Sequence, residues 1–297
     1  MGSAVTLLPS QQLGPLRRAY ARSVTAKRLR TLLFLGLLTL AVLGAGSVAQ
    51  VDPAKFWEHR WDLLDYFNRC LYLDSGERAW THLWGRDGWF WNLGVWLTLL
   101  VETIVMSYVG TLLGGIAGFM LCFVASANLN RIAWLRGVAR RLLEFLRTVP
   151  DLVFALIFVE AFGLGPLPGV LALALHSTGA LGKLFYELVE NIEMNPVEGV
   201  RASGGGQLAA IRYAVVPQIV TGFASYLILR FEINVREAAV LGYVGAGGIG
   251  YKLVEAIRKF YYSDVSAILV LVILTVFIIE IGTGRLRAHL LGERGRA

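Results

Sequence analysis

The chain has 297 residues, of which 56% are hydrophobic and 16% charged, with a mean hydropathy of +0.59. A soluble domain carries about 25% charged residues, so the composition excludes an ordinary soluble globular protein. The net charge of +7 fits basic loops held on one side of a membrane, and nucleic-acid binding is not expected.

A bilayer core of about 30 Å needs roughly 20 mainly apolar residues per helix. Six runs approach or exceed that length: residues 31–49, 94–126, 142–162, 167–188, 211–231 and 265–282. The expected fold is therefore an all-α integral membrane protein of about six transmembrane helices. It divides into a basic arm (1–30), a first helix (31–50), an amphipathic segment (51–92), a membrane core (93–286) and a tail (287–297). Ser47-Val48-Ala49 also suits a signal-peptide cleavage site. The length of the basic arm favours a retained helix.

Lys and Arg in short loops stay cytoplasmic. The arm carries Arg17, Arg18, Arg22, Lys27, Arg28 and Arg30, and later inner loops carry Arg131, Arg136, Arg140, Arg141, Arg201, Arg212, Arg285, Arg287, Arg294 and Arg296. Both termini are then cytoplasmic. The loop 51–90 is net acidic through Asp52, Glu58, Asp62, Asp65, Asp74, Glu77 and Asp87, which outweigh Lys55, Arg60, Arg69, Arg78 and Arg86; it belongs outside. Within it Trp57, Trp61, Leu64 and Leu71 recur at helical spacing, predicting an amphipathic helix on the outer surface. Trp80, Trp84, Trp89, Trp91 and Trp96 read as an interfacial aromatic belt. Cys70 in the outer loop and Cys122 in a span imply no disulfide.

Between the fifth and sixth spans, Gly245-x-Gly247-x-x-Gly250 has the spacing of a dinucleotide loop. That fingerprint has meaning only between a strand and a helix, and here an apolar span precedes it. A P-loop needs Lys directly after Gly250, where Tyr251 stands, with Lys252 one place late. The nucleotide reading is excluded. Irregular backbone at membrane depth survives where it is buried or lines a cavity, so residues 237–253 are expected to form a re-entrant, glycine-rich gate that includes Gly245, Gly247, Gly248 and Gly250. A flexible outer loop is the alternative.

On the inner side, residues 194–217 predict a short helix: Asn195 as its cap, Pro196 in its first turn and Gly204-Gly205-Gly206 at its end. Such a helix suits docking in a partner's groove. Glu198, Gly204 and Pro217 keep the spacing E-x5-G-x12-P and resemble the Glu-Ala-Ala loop of ABC importer membrane subunits. Gly199 and Val200 stand where the family has alanines, Ala214 for the usual isoleucine and Val216 for the usual leucine. The strings ALHSTGALGKLFYELVENIEMNPVEGVRASG, SYLILRFEINVREAAVLGYVGAGGIG and EAIRKF are similar to the phosphonate/phosphite importer permeases, over about residues 142–286.

The resemblance implies a type I importer fold, a homodimeric permease, two copies of a separate ABC ATPase and an extracytoplasmic phosphonate-binding protein. It implies that Glu198, Gly199, Arg201, Ala202, Ser203, Gly204 and Pro217 couple this chain to the ATPase. No cofactor, catalytic group or metal is expected on this chain, ATP and Mg being bound by the partner. Relatives that carry another small oxyanion or a phosphate ester stay open.

Charges inside spans are costly. Arg147 and Asp151, four residues apart, predict a helical ion pair; Glu102, Glu160 and Glu280 have no assigned partner. Glu232, Asn234 and Arg236 follow the fifth span directly before the gate. Arg236 either attracts a phosphonate dianion or pairs with Glu232, and Asn234 offers a neutral hydrogen bond. His176, Ser177 and Thr178 either line the same path or make interhelical hydrogen bonds. A membrane enzyme acting on lipid or phosphate esters is the rival from another class, with Glu190, Glu193 and Glu198 as its inner carboxylates and no paired Asp motif. An ATP-independent carrier leaves the Glu198 to Pro217 spacing unexplained.

Overall fold

The computed structural model describes residues 10–50, 52–73, 76–85, 88–290 and 292. Asp74, Arg86, Asp87, Arg294 and Arg296, used above for loop charge, lie outside them. The chain divides into two units, Met1–Tyr66 and Phe67–Ala297.

In the first unit, α1 (Ser10–Val48) runs unbroken from the basic arm into the apolar run. Thr31 and Thr39 return their hydroxyls to the carbonyls of Lys27 and Leu35, at 2.9 and 2.8 Å, so neither hydroxyl needs a partner from outside the helix. The amphipathic stretch forms two pieces rather than one. Asp52 caps α2 (Pro53–Glu58) by accepting the Ala54 N–H at 3.0 Å; the chain breaks at His59 and resumes as α3 (Arg60–Cys70), ending before Leu71. Trp57, Trp61 and Leu64 are exposed.

The second unit holds α4 (Leu93–Ala125), α5 (Ala133–Thr148), α6 (Asp151–Phe162), α7 (Pro166–Glu190), α8 (Asn195–Ala202), α9 (Gln207–Ala210), α10 (Val216–Leu241), α11 (Ile249–Arg258) and α12 (Tyr262–Leu290). Among the described residues four stretches are long and apolar enough to cross a membrane: Ser23–Val48, Leu93–Ala125, Gln207–Val244 and Tyr262–Leu290.

In lipid no hydrophobic force drives helices together, so close packing of small residues and hydrogen bonds carry the association. The α4 and α7 helices meet along Gly110, Gly114 and Gly118, one turn apart. A Cβ on Gly114 would lie 2.6 Å from the Ser177 Cβ and 2.7 Å from the Ala174 carbonyl oxygen; one on Gly118 would lie 2.9 Å from the Gly182 nitrogen. The α7 helix is approached as closely by α5, since a Cβ on Gly179 would stand 2.5 Å from the Arg147 nitrogen. A core at the α8 end gathers Leu143, Phe185, Val197, Ile219 and Phe223, with Phe185 stacked on Phe223 at 4.0 Å between centroids. At the end next to the glycine turn, Trp96, Leu100, Ile249 and Ile268 pack together.

Four expectations are corrected. The run 142–162 is two helices, because Pro150 has no N–H to give and disfavours helical backbone at Val149; Arg147 and Asp151 fall on opposite sides of the break, and no ion pair joins them among the described residues. The fifth span does not end at Phe231 but continues as α10 to Leu241. Asn195 is inside α8, and no side chain caps that helix. The tryptophans are not all a belt: Trp96 is buried, while Trp89 donates to Ser266 Oγ at 2.9 Å and Trp91 to Asp264 Oδ1 at 2.9 Å, fastening the start of α12.

Candidate functional site

The chemistry-bearing residues gather at three levels along α10: a short helix before it, a polar cluster within it and a glycine turn after it.

The short helix is α8. Val197 is buried and Val200 partly so, holding α8 against the core; Glu198, Gly199, Arg201, Ala202 and Ser203 are left exposed. Glu198 stands in the first turn, where a carboxylate suits the positive end of the helix dipole. Gly204 has φ +87° and the Gly205 N–H closes on the Val200 carbonyl at 2.9 Å, turning the chain sharply out of α8. The Pro217 ring, lacking an N–H, follows a π-helical stretch at Ile211–Val215, as expected where a proline breaks the regular ladder. Its neighbour Gln218 clamps the start of the loop: its Oε1 accepts the Glu193 N–H at 3.1 Å and its Nε2 donates to the Glu193 carbonyl at 3.2 Å. Behind α8, Glu190 binds Arg140 and accepts the Ala127 N–H at 2.6 Å, and Arg140 donates to the Ala125 carbonyl at 2.8 Å. These contacts tie the ends of α4, α5 and α7 into one block. Glu190 is thus occupied by a structural network and is not a free carboxylate for chemistry.

Within α10, Glu232, Asn234 and Arg236 are separated by helix geometry, because residues two apart point to opposite sides. Asn234 is fully buried: its Nδ2 donates to Thr111 Oγ1 at 2.7 Å and to Ser177 Oγ at 2.9 Å, and its carbonyl accepts from Ser107 Oγ at 3.1 Å. Glu232 and Arg236 form the ion pair that one of the two sequence readings allowed, at 2.9 Å; the Glu232 side chain is 7% exposed and that of Arg236 49%. Glu232 also accepts from Thr283 Oγ1 at 3.2 Å and has Arg287 at 3.8 Å, joining α10 to α12. Of the α7 trio only Ser177 enters the Asn234 cluster. His176 Nδ1 pairs with the Val149 carbonyl at 3.1 Å, serving a backbone group at the α5–α6 break. Thr178 Oγ1 donates to its own helix at Ala174, 2.7 Å away.

Sequence reading missed two members of that cluster, Arg230 and Glu237. Arg230 Nε donates to Ser177 Oγ at 3.1 Å and its Nη2 binds Glu237 Oε2 at 2.8 Å. Seven residues are two helical turns, so the pair shares a face with Asn234; opposite charges at that spacing inside a span were the available signal.

Beyond Leu241, a 3-10 turn at Gly242–Val244 leads into Gly245, Ala246, Gly247 and Gly248, and then α11. Gly247 and Gly248 take φ of +83° and +74°, which a side chain resists. Gly250 is required for proximity: a Cβ there would lie 1.9 Å from the Ala239 carbonyl oxygen, so α11 folds back against α10. The turn is fixed from α4, where Glu102 Oε1 accepts the Gly248 N–H at 3.0 Å and Thr103 Oγ1 the Ile249 N–H at 2.9 Å, and from Gly165, whose N–H donates to the Gly245 carbonyl at 3.0 Å. A cleft of about 410 Å³ opens beside it, lined by Tyr243, Gly245, Tyr251, Glu255 and Arg258. On α11, Lys252 at 2.5 Å and Lys259 at 2.7 Å hold the Glu255 carboxyl at a pKa of about 2.

Residues 110–290 match the family described as binding-protein-dependent transport system inner membrane component. The chain is 42% identical over 194 residues to the phosphite transport system permease protein PtxC of Stutzerimonas stutzeri, covering 65% of this chain and 70% of that protein. It is 51% identical over 120 residues to the putative cryptic phosphonate transport system permease protein PhnE2 of Escherichia coli K12, covering 40% of this chain and 98% of that one. In structure it resembles the inward-facing MetNI methionine ABC transporter, with a TM-score of 0.57 at 19% identity, over 67% of this chain and 97% of that chain; at that identity the likeness establishes the fold. The chain therefore belongs to the binding-protein-dependent transport system inner membrane components, the non-catalytic membrane subunits of ABC importers, whose nucleotide is bound by a separate ATPase.

Proposed function

We propose that this chain is the permease subunit of an ABC importer for phosphonate or phosphite, acting as a homodimer with two ATPase subunits and an extracytoplasmic binding protein. The observation that carries this reading is the 42% identity to a phosphite permease across 70% of that protein's length.

The cycle proposed with it runs through three elements of the chain. ATP closes the ATPases around the exposed face of α8, with Glu198, Gly199, Arg201, Ala202, Ser203 and Gly204 at the contact. Motion of α8 reaches α10 through the Gln218 clamp and the π-helical stretch before Pro217, and the helix bundles then rock as rigid blocks between inward- and outward-open states. Glycines 245, 247, 248 and 250 form the gate. Asn234 and Ser177, both fully buried, brace the helices that bound the path, together with Glu232, His176 and Thr178, and the half-exposed Arg236 stands at its edge. Both termini are cytoplasmic, in keeping with the basic inner loops. Conduction requires a cargo that leaves as readily as it arrives, so discrimination among oxyanions rests mainly with the binding protein.

Uptake into proteoliposomes holding this chain, its ATPase and its binding protein, with labelled methylphosphonate, phosphite and phosphate, tests the reading. ATP-dependent uptake of methylphosphonate or phosphite in preference to phosphate is expected. Uptake of phosphate alone reassigns the cargo, and uptake without ATP makes the chain a carrier.

A further inference from the structure

The cluster on α10 contains a feature that transport of an oxyanion does not by itself require. Arg230 is a guanidinium in the interior of a membrane helix, its side chain 9% exposed, with one carboxylate in direct contact, Glu237, 29% exposed, and the Asp151 carboxylate of α6 close enough to act on it through space. Burying a charge in such a place is expensive, and helices rarely carry one without a use. A guanidinium has five N–H donors. Arg230 uses its Nε on Ser177 and its Nη2 on Glu237; the other donors have no partner among the described residues.

The two partners are of different kinds. Ser177 Oγ is buried and also accepts from Asn234, whose amide is held in turn by Thr111. This side of the guanidinium is fixed. Glu237 lies two turns further along α10, one turn short of Leu241 and the glycine turn, and is the more exposed member of the pair. An anion arriving from the gate meets Glu237 before it meets Arg230. Two oxygens of a planar carboxylate, or two of a tetrahedral phosphonate or phosphite, can each accept the paired N–H groups of a guanidinium in a charge-assisted contact.

We propose that Arg230 is the residue that contacts the oxyanion cargo in transit, and that Glu237 is its built-in competitor, occupying the guanidinium between passages. The inference rests on the importer reading above and deepens it. The exchange of one anion for another at Arg230 keeps the cation paired throughout and keeps cargo binding weak. It also separates Arg230 from Arg236, whose partner Glu232 faces α12 and Thr283.

The test uses the permease–ATPase complex in proteoliposomes with its loaded binding protein, and direct binding of labelled methylphosphonate and phosphite to the complex alone. Glu237→Gln, which removes the competing charge, is expected to bind either anion about tenfold more tightly than the natural complex while its maximal uptake rate falls by a similar factor. Arg230→Gln is expected to lose both binding and uptake. Arg230→Lys, which keeps the charge but not the fork, should fall about tenfold in uptake. The double variant Arg230→Gln/Glu237→Gln removes both charges and relieves the unpaired group, so a merely structural pair predicts natural uptake from it. Retained uptake in the double variant, or unchanged anion binding in Glu237→Gln, overturns the assignment while leaving the importer reading intact. Absence of uptake of either anion by the natural complex overturns both.

Discussion

The Glu102 carboxylate on α4 accepts the backbone N–H of Gly248, 146 residues away in the chain, at 3.0 Å. The glycine turn after α10 is therefore fastened to a different helix from the one that leads into it. Replacing Glu102 by Ala removes a helix cap worth about 1 kcal/mol, a change of roughly fivefold in local opening. Amide hydrogen exchange over residues 243–253 should quicken by that factor, and Glu102→Gln, which keeps an acceptor, should restore much of the protection. Equal exchange in Glu102→Ala and the natural chain would show that the cap does not hold the turn.

The crossing of α4 and α7 has no room for a side chain at Gly114. Gly114→Val drives its branched carbons into backbone at Ala174 and should cost about 3 kcal/mol or more, seen as loss of the folded protein from detergent extracts. Gly137 on α5 is exposed, and a Cβ placed on it would meet nothing within 4 Å, so Gly137→Ala should instead gain about 1 kcal/mol from helix propensity. Thermal unfolding of the two variants is the check.

Gln218 holds the Glu193 backbone through two hydrogen bonds. Gln218→Ala removes both, at about 1–2 kcal/mol of local stability. Its expected signature is a complex that still assembles with the ATPase but transmits less of its hydrolysis to transport, measured as the ratio of ATP consumed to cargo moved. An unchanged ratio would remove the clamp from the coupling route.

Glu255 gives a pH prediction. Its folded pKa is lowered from the ordinary 4.5 to about 2 by Lys252 and Lys259, so the stabilisation is present above 4.5 and is lost as pH falls from there towards 2. Protection of α11 amides should be flat from neutral pH down to about pH 5 and weaken below 4.5, a dependence absent from Glu255→Gln. Glu255 and Lys252 are partly exposed to solvent and Lys259 more so, so added salt should reduce the effect.

Much of this organisation is legible in the sequence, and the gaps have physical causes. The Glu198 to Pro217 spacing and the glycines at 245, 247, 248 and 250 could be read because turns and close approaches demand particular residues, and α4 and α12 because length and apolarity suffice. The break between α5 and α6 was signalled by Pro150 but masked by the apolar residues on both sides. Glu232, Asn234 and Arg236 look like one constellation in a string, whereas a helix sends 234 to the face opposite 232 and 236. Arg230 and Glu237, on the face of Asn234, escape a search limited to one-turn pairs. Glu102 could not be assigned because its partner is a backbone N–H on a distant turn, which no side-chain pattern announces.

The central claim is that α8 transmits the work of a separate ATPase to this chain. The most direct measurement is ATP hydrolysis by the reconstituted permease–ATPase complex with and without phosphonate-loaded binding protein, comparing the natural chain with Glu198→Ala. Stimulation by loaded binding protein in the natural complex, and its loss in Glu198→Ala with the complex still assembled, is the predicted result. Full stimulation in Glu198→Ala, or hydrolysis indifferent to the binding protein in both, would contradict it.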